Sequence, residues 1–348
     1  GFPDFQAEPA LFDAVHRHML AGRNQYAPMA GMPELRHAIV DKVAALYGTR
    51  FDVENEVTVT AGATQAIFTA IAAFVRPGDE VIVFEPVYDS YVPAIETVGG
   101  KAVYAQLRFP DYTPDWAQVA ALVTPQTRMI IVNSPHNPTG SLLTAVDLEK
   151  LAELVRGTDI VVLSDEVYEH ILFDGERHAS LCGHPELAPR SIVVSSFGKT
   201  YHITGWKIGY VVGPAALMAE FRKVHQFNVF TVHTPSQLAL ADYMQDAARH
   251  LGLAAFYEEK RDFFRALLAE TPFELLPCRG TYFQLASYKA ISDQPDRAFA
   301  EWMTREVGVA VIPVSVFYGD GRDDCVVRFC FAKKEETLVA AGERLRRL

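Results

Sequence analysis

The sequence contains little of what marks several protein classes. It has four cysteines in 348 residues, and their spacing matches no common metal motif or disulfide framework. Such sparse cysteine usage is typical of a reducing cytoplasm, which is where we expect this protein. No apolar run approaches the roughly 18 residues that a membrane span requires. We therefore expect no metal, no disulfide and no membrane partner. The four cysteines are Cys182, Cys278, Cys325 and Cys330.

An excess of basic residues is also absent. The chain carries 43 acidic residues against 32 lysines and arginines, a net charge of −11, so no nucleic-acid-binding surface is predicted. A hydrophobic content of 49% and a charged content of 22% are typical of a globular protein. The length predicts one large domain and a smaller one. The chain begins GFPDF without an initiator methionine, so this end does not inform on targeting.

Strand-like apolar runs alternate with helical patterns through the middle of the chain. Near-continuous valine and isoleucine runs that alternate with helices predict an α/β fold, in which a mostly parallel sheet is buried between two helical layers. The runs are VTVTAG (57–62), EVIVF (80–84), KAVYAQL (101–107), RMIIVNSP (128–135), DIVVLSDE (159–166), SIVVSSF (191–197) and IGYVVG (208–213).

The pattern changes near Asp242. A charged helix is predicted over roughly 248–270, and helices near 295–307 and 334–347 alternate with the short strand-like runs FELLP, TYFQLA, VAVIP and VVRFCF. This order predicts a smaller α+β domain. We predict a large domain over residues 21–245 and a small domain made of residues 1–20 and 246–348.

Polar motifs follow several of the predicted strands. They are AGAT (61–64), NSPHNPTG (133–140), DEVY (165–168) and SSFGK (195–199). In a parallel sheet, ligands bind beyond the carboxyl ends of the strands. The clustering of these motifs therefore favours one site over several unrelated ones.

Two charged side chains in these motifs are candidates for chemistry. Lys199, if desolvated, is a nucleophile toward an aldehyde; the plainer alternative is a solvent-facing lysine. Asp165 ends a buried strand and needs a partner, which is either a structural cation or the protonated ring nitrogen of a cofactor. Tyr168 follows three residues later, where it presents a phenol to the same ligand or simply packs.

Other motifs suit the binding of anions. AGAT (61–64) joins a strand to a helix, whose free N–H groups and dipole favour a phosphate, although small residues also serve packing there. Ser196 and Lys207 can add a hydroxyl and a charge. Asn137 lies in a proline-rich turn. This turn either aims the Asn137 amide into a cleft or has no function beyond turning the chain. Arg328, inside an apolar run, clamps a carboxylate or forms a structural ion pair.

Taken together and in this order, six motifs resemble those of the fold-type I, class I/II aminotransferases, which use pyridoxal 5′-phosphate. They are AGATQA, EPVYDSY, NSPHNPTG, SDEVYEHI, SSFGKTYHITGWKIGY and VVRFCF. GFPDF and NQYAPMAGMPELR near the start are similar as well. Within the family, the chain is most similar to the methionine and aromatic amino-acid aminotransferases, akin to the kynurenine and glutamine transaminases.

The resemblance implies catalytic roles for Lys199, Asp165 and Tyr168. Lys199 would bond covalently to the cofactor aldehyde and move the proton between the substrate Cα and the cofactor. Asp165 would keep the pyridine nitrogen protonated, so that the ring is an electron sink. Asn137 and Tyr168 would hydrogen-bond the phenolic oxygen of the ring, and Tyr88 would stack on its face.

The resemblance also implies where the phosphate and the substrate bind. The phosphate would be held by the backbone at Gly62, Ala63 and Thr64 and by the side chains of Ser196 and Lys207. A tyrosine matching Tyr26 reaches the phosphate of the neighbouring subunit in this family, which implies a homodimer with shared sites. Arg328 and Asn137 would bind the substrate α-carboxylate, assisted by the backbone near Gly1. Family members carry a further segment before GFPDF, so the entrance on that side is undefined.

These expectations lead to one preferred function and two alternatives. The preferred function is transfer of the amino group from an L-amino acid to a 2-oxo acid by a ping-pong mechanism. Methionine or an aromatic amino acid is the expected donor, because no motif marks a second carboxylate site and Phe230 matches an aromatic contributed by the partner subunit. Phe230 is otherwise ordinary interface packing. The alternatives are a C–S β-lyase on the same fold and a cofactor-sensing domain of a transcription regulator, for which no basic helix-turn-helix segment is seen.

Overall fold

The chain folds around two sheets. The computed structural model describes residues 2–348. Eight strands form the large sheet: β1 Val57–Thr60, β2 Glu80–Glu85, β3 Lys101–Arg108, β4 Thr113–Pro114, β5 Thr127–Asn133, β6 Val161–Asp165, β7 Ser191–Ser196 and β8 Gly209–Val212. Four strands form the small sheet: β9 Glu274–Leu275, β10 Phe283–Ser287, β11 Ile312–Pro313 and β12 Val326–Cys330.

The large sheet has the strand order β1-β8-β7-β6-β5-β2-β3-β4. Strands β3, β2, β5, β6 and β7 run parallel, whereas β8 is antiparallel to both of its neighbours and β4 is antiparallel to β3. The α/β class and the mostly parallel sheet predicted from the sequence are therefore confirmed. In register, Asn133 lies beside Asp165, and Asp165 beside Val194. The carboxyl ends of β5, β6 and β7 thus meet at one edge.

Helices cover both faces of the large sheet. They are α1 Pro9–Leu20, α2 Pro33–Tyr47, α3 Gly62–Phe74, α4 Tyr91–Thr97, α5 Trp116–Leu122, α6 Ala145–Val155, α7 Phe197–Thr200, α8 Ala215–Asn228 and α9 Thr234–Tyr243. Successive strand residues point to opposite faces. Ile130 accordingly packs in the core that contains Ile39 of α2, whereas Ile131 packs in the core that contains Ile71 of α3. The sheet is thus the middle of three layers.

The remaining helices pack with the small sheet. They are α10 Ala248–Leu251, α11 Leu253–Leu268, α12 Asp296–Trp302 and α13 Glu335–Leu345. Their aromatic core includes Phe264 and Phe329, with ring centroids 5.6 Å apart. The prediction of a single helix over 248–270 is wrong in one respect. The helix is divided at Gly252, a residue that weakens a helix because it loses the most backbone entropy on folding.

Residues near the amino terminus contact both parts of the fold. Leu11 and Ala14 of α1 are buried in the core that includes Leu240 of α9. Asp4 instead accepts hydrogen bonds from the Lys334 backbone N–H at 2.6 Å and the Thr337 hydroxyl at 2.8 Å, beside α13. The domain limits at residues 20/21 and 245/246 stay a prediction. Across residues 2–348, no helix has both the length and the apolarity needed to span a bilayer.

Candidate active site

A cavity of about 490 Å³ lies at the carboxyl ends of β5, β6 and β7, where the small sheet faces the large one. Most of the predicted site residues line it, and they come from six separate stretches of the chain. The predicted residues that line the cavity are Gly62, Ala63, Thr64, Tyr88, Asn137, Asp165, Tyr168, Ser196, Lys199, Lys207 and Arg328. The structure brings these residues together, and their chemical roles stay predictions.

Lys199 lies in the short helix α7, which directly follows β7. The Ser196 hydroxyl caps this helix by accepting a hydrogen bond from the Gly198 N–H at 3.2 Å. The Lys199 ammonium donates to the Tyr282 hydroxyl at 2.9 Å. Burial lowers the pKa of Lys199 to about 8, because the charged form loses its hydration. The lysine is therefore not the solvent-facing residue of the plainer alternative.

Asp165 is the last residue of β6 and is buried. Its carboxylate accepts hydrogen bonds from the Tyr91 hydroxyl at 2.6 Å and the Val167 N–H at 3.3 Å. Burial nevertheless raises the pKa of Asp165 to about 6. The hydrogen bonds do not fully offset the lost hydration, and a cation placed against this carboxylate would favour its charged form.

Asn137 and Arg328 meet across the cavity. The Arg328 guanidinium donates to the Asn137 amide oxygen at 2.6 Å and lies 4.0 Å from the ring centroid of Phe283. Asn137 is held in turn by its backbone N–H, which donates to the Asn133 side chain at 2.8 Å. Within residues 2–348, no carboxylate pairs with Arg328. The structural ion pair considered for Arg328 is therefore not found, and the N–H groups of its guanidinium that do not contact Asn137 can bind an anion.

The amino terminus of α3 forms one end of the cavity. No side chain caps this helix, so its first N–H groups are open to a ligand. Gly62 has a left-handed φ of +79°, and a Cβ built there would lie 3.3 Å from Lys207 Cε, so this turn suits glycine. The Tyr88 hydroxyl hydrogen-bonds Thr64. Open N–H groups beside a lysine make this end a suitable anion site.

Two predicted residues lie outside this cavity. Tyr26 is 85% exposed and Phe230 is 41% exposed, and their rings make an edge-on contact at 5.8 Å. The structure therefore places them together on the surface, where a partner subunit could receive them. The predicted role of Gly1 falls outside the described residues.

Four contacts of the site were not predicted from the sequence. Tyr91 is buried, and its hydroxyl donates a hydrogen bond to Asp165. The Asn133 amide donates to the Asp165 backbone carbonyl at 2.8 Å. Tyr282 contacts Lys199, and Phe283 stacks on Arg328. The one available signal was position, because Asn133 directly ends a strand-like run, whereas the other three residues read as ordinary aromatics.

Comparison with known proteins identifies the family. The family model described as aminotransferase class I and II matches residues 3–345. The chain belongs to this family. It is 50% identical to the methionine aminotransferase of Escherichia coli K12, over 100% of this chain and 90% of that protein. It is 38% identical to a probable N-succinyldiaminopimelate aminotransferase of Mycobacterium tuberculosis, over 99% of this chain and 90% of that protein.

Solved structures agree with this assignment. A crystal structure from Escherichia coli, identified there as a methionine aminotransferase, superposes with a TM-score of 0.98 at 50% identity, covering 100% of this chain and 92% of that one. An aromatic aminotransferase from Pyrococcus horikoshii superposes with a TM-score of 0.93 at 31% identity, covering 100% of this chain and 93% of that one. The family and fold type inferred from the six sequence motifs are confirmed, and the protein is an aminotransferase.

Aminotransferases of class I and II depend on pyridoxal 5′-phosphate, and the cavity suits this cofactor. Lys199 offers an amine to its aldehyde, and the open end of α3 with Lys207 offers an anion site to its phosphate. Asp165 is a buried carboxylate whose raised pKa calls for a cation, which the ring nitrogen supplies when protonated. No cluster of three or more histidine, cysteine or acidic side chains in residues 2–348 is arranged to hold a metal ion.

Proposed function

We propose that this aminotransferase moves the amino group of methionine, and of amino acids with aromatic side chains, to a 2-oxo acid by a ping-pong mechanism. The observation that carries the proposal is the convergence of Lys199, Asp165 and Arg328 in one cavity. The 50% identity to a methionine aminotransferase along the whole chain supports the choice of donor.

The residues divide the chemistry between them. Pyridoxal 5′-phosphate, when bound, supplies a ring that accepts electron density from the substrate Cα. Lys199, as a neutral amine, would take the proton from Cα and, in its ammonium form, would give it up again at the neighbouring cofactor carbon. Its pKa of about 8 makes the neutral form accessible near neutral pH. Asp165 would hold the ring nitrogen protonated, and Tyr168 and Asn137 would hydrogen-bond the phenolic oxygen.

Arg328 orients the substrate. Its planar fork suits the two oxygens of an α-carboxylate, and the aromatic face of Phe283 limits the directions in which it can point. The amide of Asn137 is already in contact with the guanidinium. Holding the carboxylate in the cavity that Lys199 also lines would fix the position of Cα relative to that amine, and such orientation is a large part of catalysis.

The cavity suits an apolar side chain. Ile312, Val316 and Phe317 form part of its lining beside Arg328. In the described chain, the cationic residues that line the cavity are Lys199, Lys207 and Arg328, each with a role already proposed. Asp89 also lines the cavity and would repel a second substrate carboxylate. These features favour methionine and aromatic donors over aspartate and glutamate.

We also propose that two copies of the chain share their active sites in a homodimer in the cytoplasm. The exposed pair of Tyr26 and Phe230 supports the dimer, since large exposed aromatics are typical of interaction surfaces. In this arrangement Tyr26 reaches the phosphate of the partner's cofactor, and Phe230 contributes to the partner's substrate pocket. Free, scattered cysteines support a reducing compartment.

A screen of single half-reactions tests the function. Holo-protein is mixed with one amino acid at a time, and the cofactor absorbance is followed as the aldehyde form converts to the amine form. We expect methionine and aromatic amino acids to convert the cofactor faster than aspartate or glutamate do. In the Lys199→Ala variant, no amino acid should convert the cofactor. Absence of conversion by every amino acid in the panel would sink the proposal.

The same preparation distinguishes the β-lyase alternative. A cysteine conjugate is supplied without any 2-oxo acid, and pyruvate and ammonia are measured. We expect sustained turnover with methionine only when a 2-oxo acid is present. Sustained pyruvate release without that acceptor, at a rate above the methionine reaction, would assign the chain to the lyases instead.

A further inference from the structure

Tyr282 lies against the amine of Lys199. Its hydroxyl accepts the hydrogen bond from Lys199 Nζ at 2.9 Å, and the same Nζ lies 5.5 Å from the centre of its ring. Tyr282 is fully buried. Its hydroxyl also hydrogen-bonds that of Tyr168, so the three polar groups form a short chain. Nothing in the function proposed above uses Tyr282.

The backbone before Tyr282 is held by two loops of the large sheet. The N–H groups of Arg279 and Gly280 both donate to the Gly140 carbonyl, at 3.0 and 2.9 Å, in the loop after β5. The Thr281 N–H donates to the Ile171 carbonyl at 3.0 Å, in the loop after β6. The same loops carry Asn137 and Tyr168. The position of Tyr282 is therefore tied to the cofactor side of the cavity.

The local conformation is a specialised one. Thr281 has a φ of +66°, a region that is costly for a β-branched residue and that persists only where the surroundings impose it. At Gly280, a Cβ would lie 2.8 Å from Pro135 Cβ, so no side chain fits there. Strained backbone of this kind is concentrated at functional sites, and here it sets the direction in which the Tyr282 side chain points.

We propose that Tyr282 is a positioning residue for Lys199. The phenol oxygen of Tyr282 holds the free amine of Lys199 in line with the two atoms between which this amine moves the proton. The inference rests on the role proposed above for Lys199. A lysine side chain has four rotatable bonds, and fixing its amine by a hydrogen bond at a rigid site removes unproductive orientations before the reaction.

The chemistry of the phenol suits this task. Burial raises the pKa of Tyr282, so it stays protonated and does not compete with Lys199 for the substrate proton. Its oxygen accepts from Lys199, while the contact with Tyr168 gives the hydroxyls a common hydrogen-bonding network. A phenylalanine at this position would fill the same space but would lack the hydroxyl that contacts Lys199 and Tyr168.

The test compares Tyr282→Phe with the wild-type protein in the methionine half-reaction. We expect the maximal rate of conversion to fall about tenfold, since small errors in the placement of a reacting group are costly. The methionine concentration that gives half this rate should stay unchanged. The primary isotope effect with methionine deuterated at Cα should rise, because proton transfer becomes more rate-limiting.

Tyr257→Phe is the matched control. Tyr257 is also fully buried and packs on the Tyr282 ring at 5.7 Å, but its hydroxyl faces His202. We expect wild-type kinetics from this variant. If the two variants lose rate equally, or if Tyr282→Phe acts only by weakening methionine binding, a general packing role replaces the positioning role.

A second measurement needs no amino-acid turnover. Cofactor-free protein is mixed with pyridoxal 5′-phosphate, and the covalent adduct with Lys199 is trapped by borohydride at successive times. We expect Tyr282→Phe to form the adduct about tenfold more slowly than wild type and Tyr257→Phe. An unchanged rate overturns the inference. If the wild-type protein converts no amino acid, the proposed function fails, while this capture rate still decides the role of Tyr282.

Discussion

At the scale of single residues, burial acts on Lys199 and Asp165 in opposite senses. Burial lowers the pKa of Lys199 to about 8 and raises the pKa of Asp165 to about 6, in each case by disfavouring the charged form. The first change makes a neutral amine accessible to chemistry. The second change leaves a carboxylate whose charged form is stabilised when a cation approaches. The electrostatics of the cavity thus suit a ring with a protonated nitrogen.

The raised pKa of Asp165 has a measurable effect on stability. The unfolded chain carries the ordinary value of 3.8, so between about pH 4 and pH 6 the folded, cofactor-free protein binds more protons than the unfolded one. The contribution of Asp165 to stability therefore falls as pH rises through this window. Asn cannot ionise, so the free energy of unfolding of Asp165→Asn, relative to wild type, should increase by about 2 kcal/mol across it. Urea unfolding of cofactor-free protein measures this difference, and a difference that does not vary with pH would contradict it.

Tyr91 supports the charged form of Asp165. Its hydroxyl donates to the carboxylate at 2.6 Å, and Tyr91→Phe removes this donor without changing the packing. We expect the maximal rate of the methionine half-reaction to fall about tenfold, since the loss of a hydrogen bond to a charged group costs ~1.5–3 kcal/mol. Tyr112→Phe is a suitable control, because Tyr112 is a buried phenol whose hydroxyl has no hydrogen-bond partner in residues 2–348. Equal rates in the two variants would show that the Tyr91 hydroxyl is dispensable.

The sequence predicts the charged residues of the site better than the groups that hold them. Lys199 and Asp165 follow apolar strands, and a charge in that position is unusual enough to be noticed. Tyr91 and Tyr282 are aromatic residues in apolar surroundings, and their sequence context does not distinguish a packed ring from a hydrogen-bonding hydroxyl. Which phenol meets which charge is decided by tertiary packing between segments as distant as residues 199 and 282.

At the scale of elements, the same limit applies to topology. Every strand-like run in the middle of the chain forms a strand, because valine- and isoleucine-rich runs between turns are a strong local signal. The antiparallel insertion of β8 between β7 and β1 is not visible in the run itself. It follows from the short connection after β7, residues 197–208, which lacks a long crossover helix and returns the chain beside the strand it left.

One buried ion pair joins α2 to the loop that carries Tyr168. The Lys42 ammonium lies 2.6 Å from a Glu169 carboxylate oxygen, and both side chains are buried. Burial opposes ionisation of Glu169, but Lys42, His170 and the Ser195 hydroxyl together outweigh it and hold the pKa of that carboxyl well below its usual range. Lys42→Met leaves this charge unpaired and should lower the free energy of unfolding by about 3–5 kcal/mol. Urea unfolding measures the loss.

Two further variants make the ion-pair prediction specific. Lys42→Met combined with Glu169→Gln removes both charges and should recover part of the stability. Lys150→Met breaks the exposed pair with Glu153 and should change stability little. If the double variant is as unstable as the single one, the loss comes from packing around Lys42 rather than from the unpaired carboxylate.

At the scale of the whole molecule, charge is distributed unevenly. The chain has a net charge of −11, yet three cations, Lys199, Lys207 and Arg328, line the cavity. An acidic exterior favours solubility, while a local positive site attracts the anionic phosphate and carboxylates that the reaction requires. The negative net charge alone would have suggested a preference for cationic ligands rather than anionic ones.

The proposed sharing of sites between subunits has a decisive test in mixed dimers. Lys199→Ala lacks the catalytic amine, whereas Tyr26→Phe lacks the hydroxyl proposed to reach the partner's phosphate. In a hybrid of the two variants, one site combines Lys199 from the Tyr26→Phe chain with Tyr26 from the Lys199→Ala chain and is therefore intact. We expect hybrid dimers, separated by different affinity tags, to convert methionine at about half the wild-type rate per dimer when cofactor is limiting, because one of the two shared sites is whole. Hybrids no more active than half a Tyr26→Phe dimer would show that Tyr26, although exposed beside Phe230, serves its own subunit or none.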